Sequence, residues 1–198
     1  MSELNMDLTE IPRKLSTKDL QLRPSNTTDA EGMFAMLSDP ESMKYWSDPP
    51  ISDLDTAVEV LNKDLESDAQ GNSCMCWAIT LRGQDHMIGK CILFQFSRDN
   101  HRAEIGYILN REYWRRGLTH QALQAVIEFA FNTLKLHRIE ADVDVENTAS
   151  LGLLEKLGFK REGLFRERWR VYDEWQDSVM LGLLKQDWSI EGVSTGKE

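Results

Sequence analysis

Apolar and polar positions along the chain follow two periods in turn. Residues 74–81 (CMCWAITL), 87–96 (MIGKCILFQF) and 101–109 (HRAEIGYIL) are strand-like runs separated by the polar turns RGQDH and SRDN. They predict an antiparallel meander of three strands. The period then becomes helical: Leu123, Val126, Ile127, Ala130, Phe131 and Leu134 fall on one face of a long amphipathic helix entered through Gly117. A strand over 138–145 (RIEADVDV) follows, then a helix from Asn147 to Leu157 that Gly158 stops. FKREGLFRERWRV and DSVMLGLL predict two closing strands across the turn YDEWQ. Upstream, LQLRP (20–24) reads as a short strand, and Thr28 with Glu31 as a capping box opening a helix to about Leu37. Ser52 and Asp53 start a second helix carrying Leu54, Val58, Leu61 and Leu65.

Antiparallel strands followed by alternating strands and helices imply an α+β or α/β sheet with helices on its faces. Residues 1–17 read as a loose lead-in, 18–188 as one domain and 189–198 as a tail. A chain of 198 residues with 41% hydrophobic and 28% charged content is ordinary for a soluble globular protein with a substantial core. No apolar run approaches the ~20 residues of a membrane span, and the N-terminus lacks the layout of a signal peptide. A cytoplasmic location is therefore expected. Cys74, Cys76 and Cys91 lack zinc-site spacing and are expected to be reduced thiols, with no metal. The net charge of -10 argues against broad nucleic-acid binding, which relies on cations that neutralise phosphates.

Candidate chemistry gathers at WRRGLTHQAL (114–123). A helix start already offers unpaired N–H groups and a partial positive charge, and Arg115 and Arg116 add cations. The amides from Arg116 to His120 converge as at anion-binding helix starts, a geometry that suits a diphosphate. No P-loop and no dinucleotide fingerprint occurs. Taken alone, the arginines are equally well read as solvated loop cations. A second cluster begins at Asn147. Ser150 shares the apolar stripe with Leu153, Leu154 and Leu157, and a hydroxyl on a buried face needs a partner. Alone, Asn147 could be an ordinary N-cap and Ser150 could bond back to the carbonyl of Glu146.

Together, AEIGYIL, YWRRGLTHQAL and HRIEADVDVENTASLGLLEKLGFKREG resemble the GNAT superfamily of acetyl-CoA-dependent N-acetyltransferases, and more closely its ribosomal-protein N-terminal (RimJ/RimL-like) group. YWRRGLTHQAL matches the Q/R-x-x-G-x-G/A phosphate motif, and the stretch from Asn147 to Phe159 matches N-x-x-S…E-K-x-G-F. The resemblance implies a mixed, mostly antiparallel sheet of about seven strands, splayed in the middle, with helices on both faces. It implies a pyrophosphate cradle at Arg115, Arg116, Gly117, Leu118, Thr119 and His120, with backbone N–H groups of Tyr107, Ile108 and Leu109 meeting the thioester. Asn147 would hold the pantetheine arm, Ser150 would protonate the leaving sulfur, and Glu104 would be the base, directly or through water, with His101 a weaker rival. Tyr45, Trp46, Trp169 and Trp175 would wall the acceptor groove. The chain departs from the pattern at Trp114, Thr119 and Leu154, the last standing where many members carry a tyrosine general acid. The implied activity is acetyl transfer to a primary amine, foremost the α-amine of a protein such as a ribosomal protein, in a monomer or homodimer. A small amine acceptor (a polyamine, amino acid or antibiotic) and a non-catalytic acyl-CoA-binding module are the alternatives.

Overall fold

The computed structural model describes residues 11–70 and 74–188. Its strands are β1 (Leu15–Ser16), β2 (Leu20–Pro24), β3 (Cys74–Leu81), β4 (Met87–Ser97), β5 (Arg102–Leu109), β6 (Arg138–Asp144), β7 (Lys160–Val171) and β8 (Glu174–Leu184). The helices are α1 (Ala30–Leu37), α2 (Pro40–Met43), α3 (Leu54–Ala69), α4 (Leu118–Asn132) and α5 (Thr148–Lys156). All eight strands join one sheet in the order β1-β2-β3-β4-β5-β6-β8-β7, so β8 inserts between β6 and β7. The sheet has one strand more than the resemblance implies, because Leu15–Ser16, inside the expected lead-in, pairs with β2.

Strand alternation sorts the core into two layers. Trp77 and Ile79 of β3 face α4 and α5, whereas Ala78 between them faces α1, α2 and α3. The helical period of α4 buries Leu118, Ala122, Leu123, Val126, Ile127, Ala130 and Phe131 on one stripe. Each large apolar side chain there contributes roughly 1.5–3 kcal/mol by leaving water. Trp77 is fully buried, meets Phe129 edge-on at 5.5 Å, and donates its indole N–H to the carbonyl of Arg13 at 2.9 Å. The Arg13 guanidinium in turn grips Asp68 on α3, with Nη2 to Oδ2 at 2.7 Å.

Local details shift some expected boundaries. The capping box lies two residues earlier than expected: Asn26 accepts from the Thr28 amide at 2.8 Å and Asp29 accepts from the Asn26 amide at 2.8 Å. Asp29 is available for this because Arg23 neutralises it inside the core. Asp53 caps α3 as expected, accepting from Thr56 N at 2.8 Å. Leu54 and Val58 of that helix are exposed, and Ala57 and Leu61 are the buried pair. The closing hairpin is tighter than the expected YDEWQ turn. Only Tyr172 and Asp173 link β7 to β8, both left-handed with φ of 47° and 68°, the two-residue geometry that follows the right-handed twist of the strands. The tail over 189–198 lies outside the described residues.

Helix α1 presses closely on β4. A Cβ built at Gly32 would stand 2.3 Å from the Met87 carbonyl oxygen and 2.8 Å from Met87 Cβ, atoms that cannot withdraw without moving the strand. Gly32→Ala is therefore expected to lower unfolding free energy by about 1–3 kcal/mol, measured by chemical denaturation; an unchanged midpoint would show that α1 slides freely.

Candidate active site

Among the described residues β5 and β6 form the one parallel pair in the sheet, and they pair only at Arg102↔Arg138, Ala103↔Ile139 and Glu104↔Glu140. β5 stays bonded to β4 as far as Leu109, and β6 to β8 as far as Asp144. Beyond Glu104 and Glu140 the two strands therefore part, leaving a V-shaped gap. A cleft of about 390 Å³ occupies it, lined by Glu104–Ile108 of β5, Ala141–Asp144 of β6 and Asn147, Ser150 and Leu154 from the α5 region. Tyr45, Trp46, Trp169 and Val171 also line it.

Glu104 sits at the apex of the gap, buried, and no hydrogen-bond partner faces its carboxylate among the described residues. Burial first, then the charges of Asp142 and Glu140, push its pKa up to about 7 against the pull of Arg168 and Arg102. Its neighbour Glu140 is held by Arg102 and Arg138. His101, the rival base, stands just before β5 with φ of 48°, and its carbonyl is spent on the amides of His137 and Arg138.

The other wall comes from α5. Asn147 caps it, accepting from the Ser150 amide at 3.1 Å, so the ordinary N-cap reading holds for the side-chain oxygen. The Ser150 hydroxyl does not turn back to Glu146. It meets the Tyr107 hydroxyl at 2.6 Å, because β5 alternation points Tyr107 towards α5. Burial pushes the Tyr107 phenol up to about 12, which keeps it protonated beside the serine. Tyr107 was singled out in the sequence only for its amide; nothing local to the strand reveals the side-chain contact.

The start of α4 is open. Gly117 is its N-cap at φ 72°, without a side-chain cap, and a Cβ there would meet nothing within 4 Å. The first-turn amides of Leu118, Thr119 and His120 thus keep the free N–H groups of a helix start. Arg115 holds a left-handed φ of 60°. Arg116 folds back, donating to the Glu112 carbonyl at 2.8 Å and lying over the Tyr113 ring. Trp114 fastens this loop to the end of β5 by donating to the Leu109 carbonyl at 2.7 Å.

Placement divides the expected site residues into two groups. Glu104, Tyr107, Ile108, Asn147, Ser150, Tyr45, Trp46 and Trp169 line the cleft. Leu109 and Arg115–His120 lie outside its lining, at the loop and helix start that continue from β5. Trp175 also lies outside the lining: it is 60% exposed on β8 opposite Arg170, near the hairpin turn. Asp142 and Lys90 line the cleft and were not singled out in the sequence. Away from the cleft, Asp68, Cys74 and Cys76 bring three possible metal ligands together, but Arg13 occupies both carboxylate oxygens of Asp68.

Among the described residues no helix is long and apolar enough to cross a membrane. Residues 19–160 match the family model described as an acetyltransferase (GNAT) domain. The uncharacterized N-acetyltransferase p20 of Bacillus licheniformis is 36% identical over 177 residues, covering 88% of this chain and 98% of that one. The spermidine N(1)-acetyltransferase of Vibrio cholerae is 25% identical over 166 residues, covering 84% and 93%. Mycobacterium smegmatis RimJ in complex with CoA-disulfide shares the fold with a TM-score of 0.80 at 24% identity, over 91% of each chain. A helix start with open amides, an uncrowded left-handed glycine and a gap between strands fit the diphosphate and extended arm of acetyl-CoA. The chain belongs to the GNAT acetyltransferase family and is an acetyl-CoA-dependent N-acetyltransferase.

Proposed function

We propose that the acceptor is the α-amine of a protein N-terminus, with Glu104 as the base and Ser150 as the acid. The observation that carries this reading is the buried carboxylate at the apex of the gap, pushed up to about 7. An α-ammonium titrates at about 7.7–8.0, so handing its proton to such a base is close to balanced. An amine at about 10.4, as in lysine, would hold its proton more tightly by more than two further units, each worth about 1.4 kcal/mol.

Acetyl-CoA supplies the acetyl group as an activated thioester. The α4 amides and Arg115 bind its diphosphate, and the unused side-chain N–H groups of Asn147 hold the arm. Amides of Tyr107–Leu109 that face the gap polarise the carbonyl. Ser150 donates its hydroxyl proton towards the departing sulfur, the neutral Tyr107 phenol stays hydrogen-bonded to the serine oxygen, and the second proton shed by the acceptor nitrogen as the amide forms restores the hydroxyl. Ser150→Ala is expected to lower kcat at least about tenfold while the acetyl-CoA KM stays within twofold. An unchanged kcat moves the acid role off this residue.

A polyamine acceptor is the second reading, favoured by the carboxylates of Glu104, Asp142 and Asp144 along the cleft and by the likeness to a spermidine N(1)-acetyltransferase. CoA release with a basic N-terminal peptide, spermidine and free amino acids separates the two. Faster turnover of the peptide supports the α-amine, and faster turnover of spermidine overturns it. CoA binding in calorimetry with no acetylation of any amine would leave a binding module instead.

A further inference from the structure

Asp142 is a cleft carboxylate with one buried oxygen left bare among the described residues. Its side chain is 4% exposed. Oδ2 accepts from Arg168 Nε at 3.0 Å and from the Trp169 indole N–H at 3.1 Å. Oδ1 is buried and accepts from nothing, although the residue lines the cleft. A carboxylate oxygen kept from water without a donor is costly, so a fold that holds one in place calls for a reason.

The holding is elaborate. The register between β7 and β8 slips between Phe165 and Trp169, and Glu167 within that bulge takes a left-handed φ of 52°. The bulge is pinned by the Glu167 amide, which donates to Asp177 Oδ1 at 2.8 Å. It turns Arg168 and the neighbouring Trp169 onto the same carboxylate oxygen, with the Arg168 guanidinium 5.0 Å from the Phe165 ring centre and 5.5 Å from that of Trp169. Two donors on Oδ2 fix the carboxylate plane and leave Oδ1 as the free end. Glu104 pairs in register with Glu140, and Asp142 lies two residues further along β6 on the same face. One strand spacing and two residues of rise put the two backbones roughly 8 Å apart, a span that the side chains can close around one nitrogen.

We infer that Asp142 Oδ1 accepts an N–H of the acceptor ammonium, so that Glu104 and Asp142 grip the same nitrogen from two strands; this rests on the acetyl-transfer reading of the cleft. The acceptor enters as R–NH3+. One N–H bond breaks, its proton passes to the Glu104 carboxylate to give the carboxylic acid, and the bonding pair stays on nitrogen. The resulting R–NH2 keeps an N–H on Asp142 Oδ1, which orients the lone pair. The site therefore selects aliphatic primary ammonium ions. An aryl amine, neutral at pH 7, brings no charge to the pair.

Asp142→Asn preserves the shape and the oxygen that Arg168 and Trp169 use, but presents an N–H2 or an uncharged oxygen to the acceptor. Asp142→Ser is the second variant, should the first not fold. Steady-state kinetics are run with a peptide beginning Ala-Arg and with spermidine. On whichever is turned over by the parent enzyme, the acceptor KM is expected to rise between about tenfold and 100-fold, with the acetyl-CoA KM within twofold. An acceptor KM within twofold of the parent in the folded variant overturns the assignment. If the parent acetylates neither probe, the reading of the cleft as a site for a peptide α-amine or a polyamine fails, and the role of Asp142 with it.

Discussion

Replacing Glu104 with glutamine is expected to lower kcat/KM about 100-fold or more, within the range general-base catalysis supplies. The substitution keeps the size of the side chain and removes the proton acceptor. The parent enzyme should show a rising limb in kcat/KM with an apparent pKa near 7, because the base works only when deprotonated and its carboxyl is pushed up to about 7. That limb should vanish in Glu104→Gln. Stability separates a lost base from a damaged fold. A carboxyl whose folded pKa lies above its unfolded value favours the native state at low pH, and this contribution is lost as pH rises through the folded value. At pH 8 the buried charge therefore works against the fold, and the glutamine variant should unfold at or above the parent temperature. A variant that is fully active, or that keeps the limb near 7, would remove Glu104 from the reaction.

Gly117→Glu is expected to raise the acetyl-CoA KM at least about 30-fold with the acceptor KM little changed. Two effects add. The left-handed φ of 72° costs an L side chain about 1–2 kcal/mol. The new carboxylate also stands beside amides proposed to hold a diphosphate, and like charges about 4 Å apart repel by ~1 kcal/mol in water and ~4 kcal/mol at an effective dielectric of 20. Crowding within the protein is not part of the effect, because an added Cβ meets no protein atom within 4 Å. Gly117→Ala should accordingly carry only the backbone share, a few-fold loss. A KM within twofold of the parent in Gly117→Glu would place the diphosphate elsewhere.

What the sequence disclosed was whatever rests on local periodicity. The strands of the meander, the stripe of α4 and the stop at Gly158 were legible because apolar spacing and turn residues report them directly. β1 was missed because two residues carry no period, and the stretch leading into it is anchored through Arg13 to Trp77 and Asp68, some 60 residues away. The left-handed Tyr172–Asp173 turn was blurred because Glu174, Trp175 and Gln176 look polar enough for a loop, although β7 pairs with them. Of the cleft lining, Glu104, Asn147 and Ser150 are singled out in the sequence by the family resemblance and its motifs. Asp142 and the Tyr107–Ser150 hydroxyl pair escaped because each depends on a contact between elements. The alternating acids of RIEADVDV were the one available sign, and any solvated strand face would show the same.

The short β5–β6 ladder has a mechanical consequence. Among the described residues, three residue pairs are all that bind the leaf β1–β5 to the leaf β6–β8–β7 through the sheet itself. Any guest seated in the V touches both leaves and acts as the missing rungs of the ladder. Occupancy thus doubles as a rivet, and the rigidity of the whole sheet becomes a function of what lies between its halves.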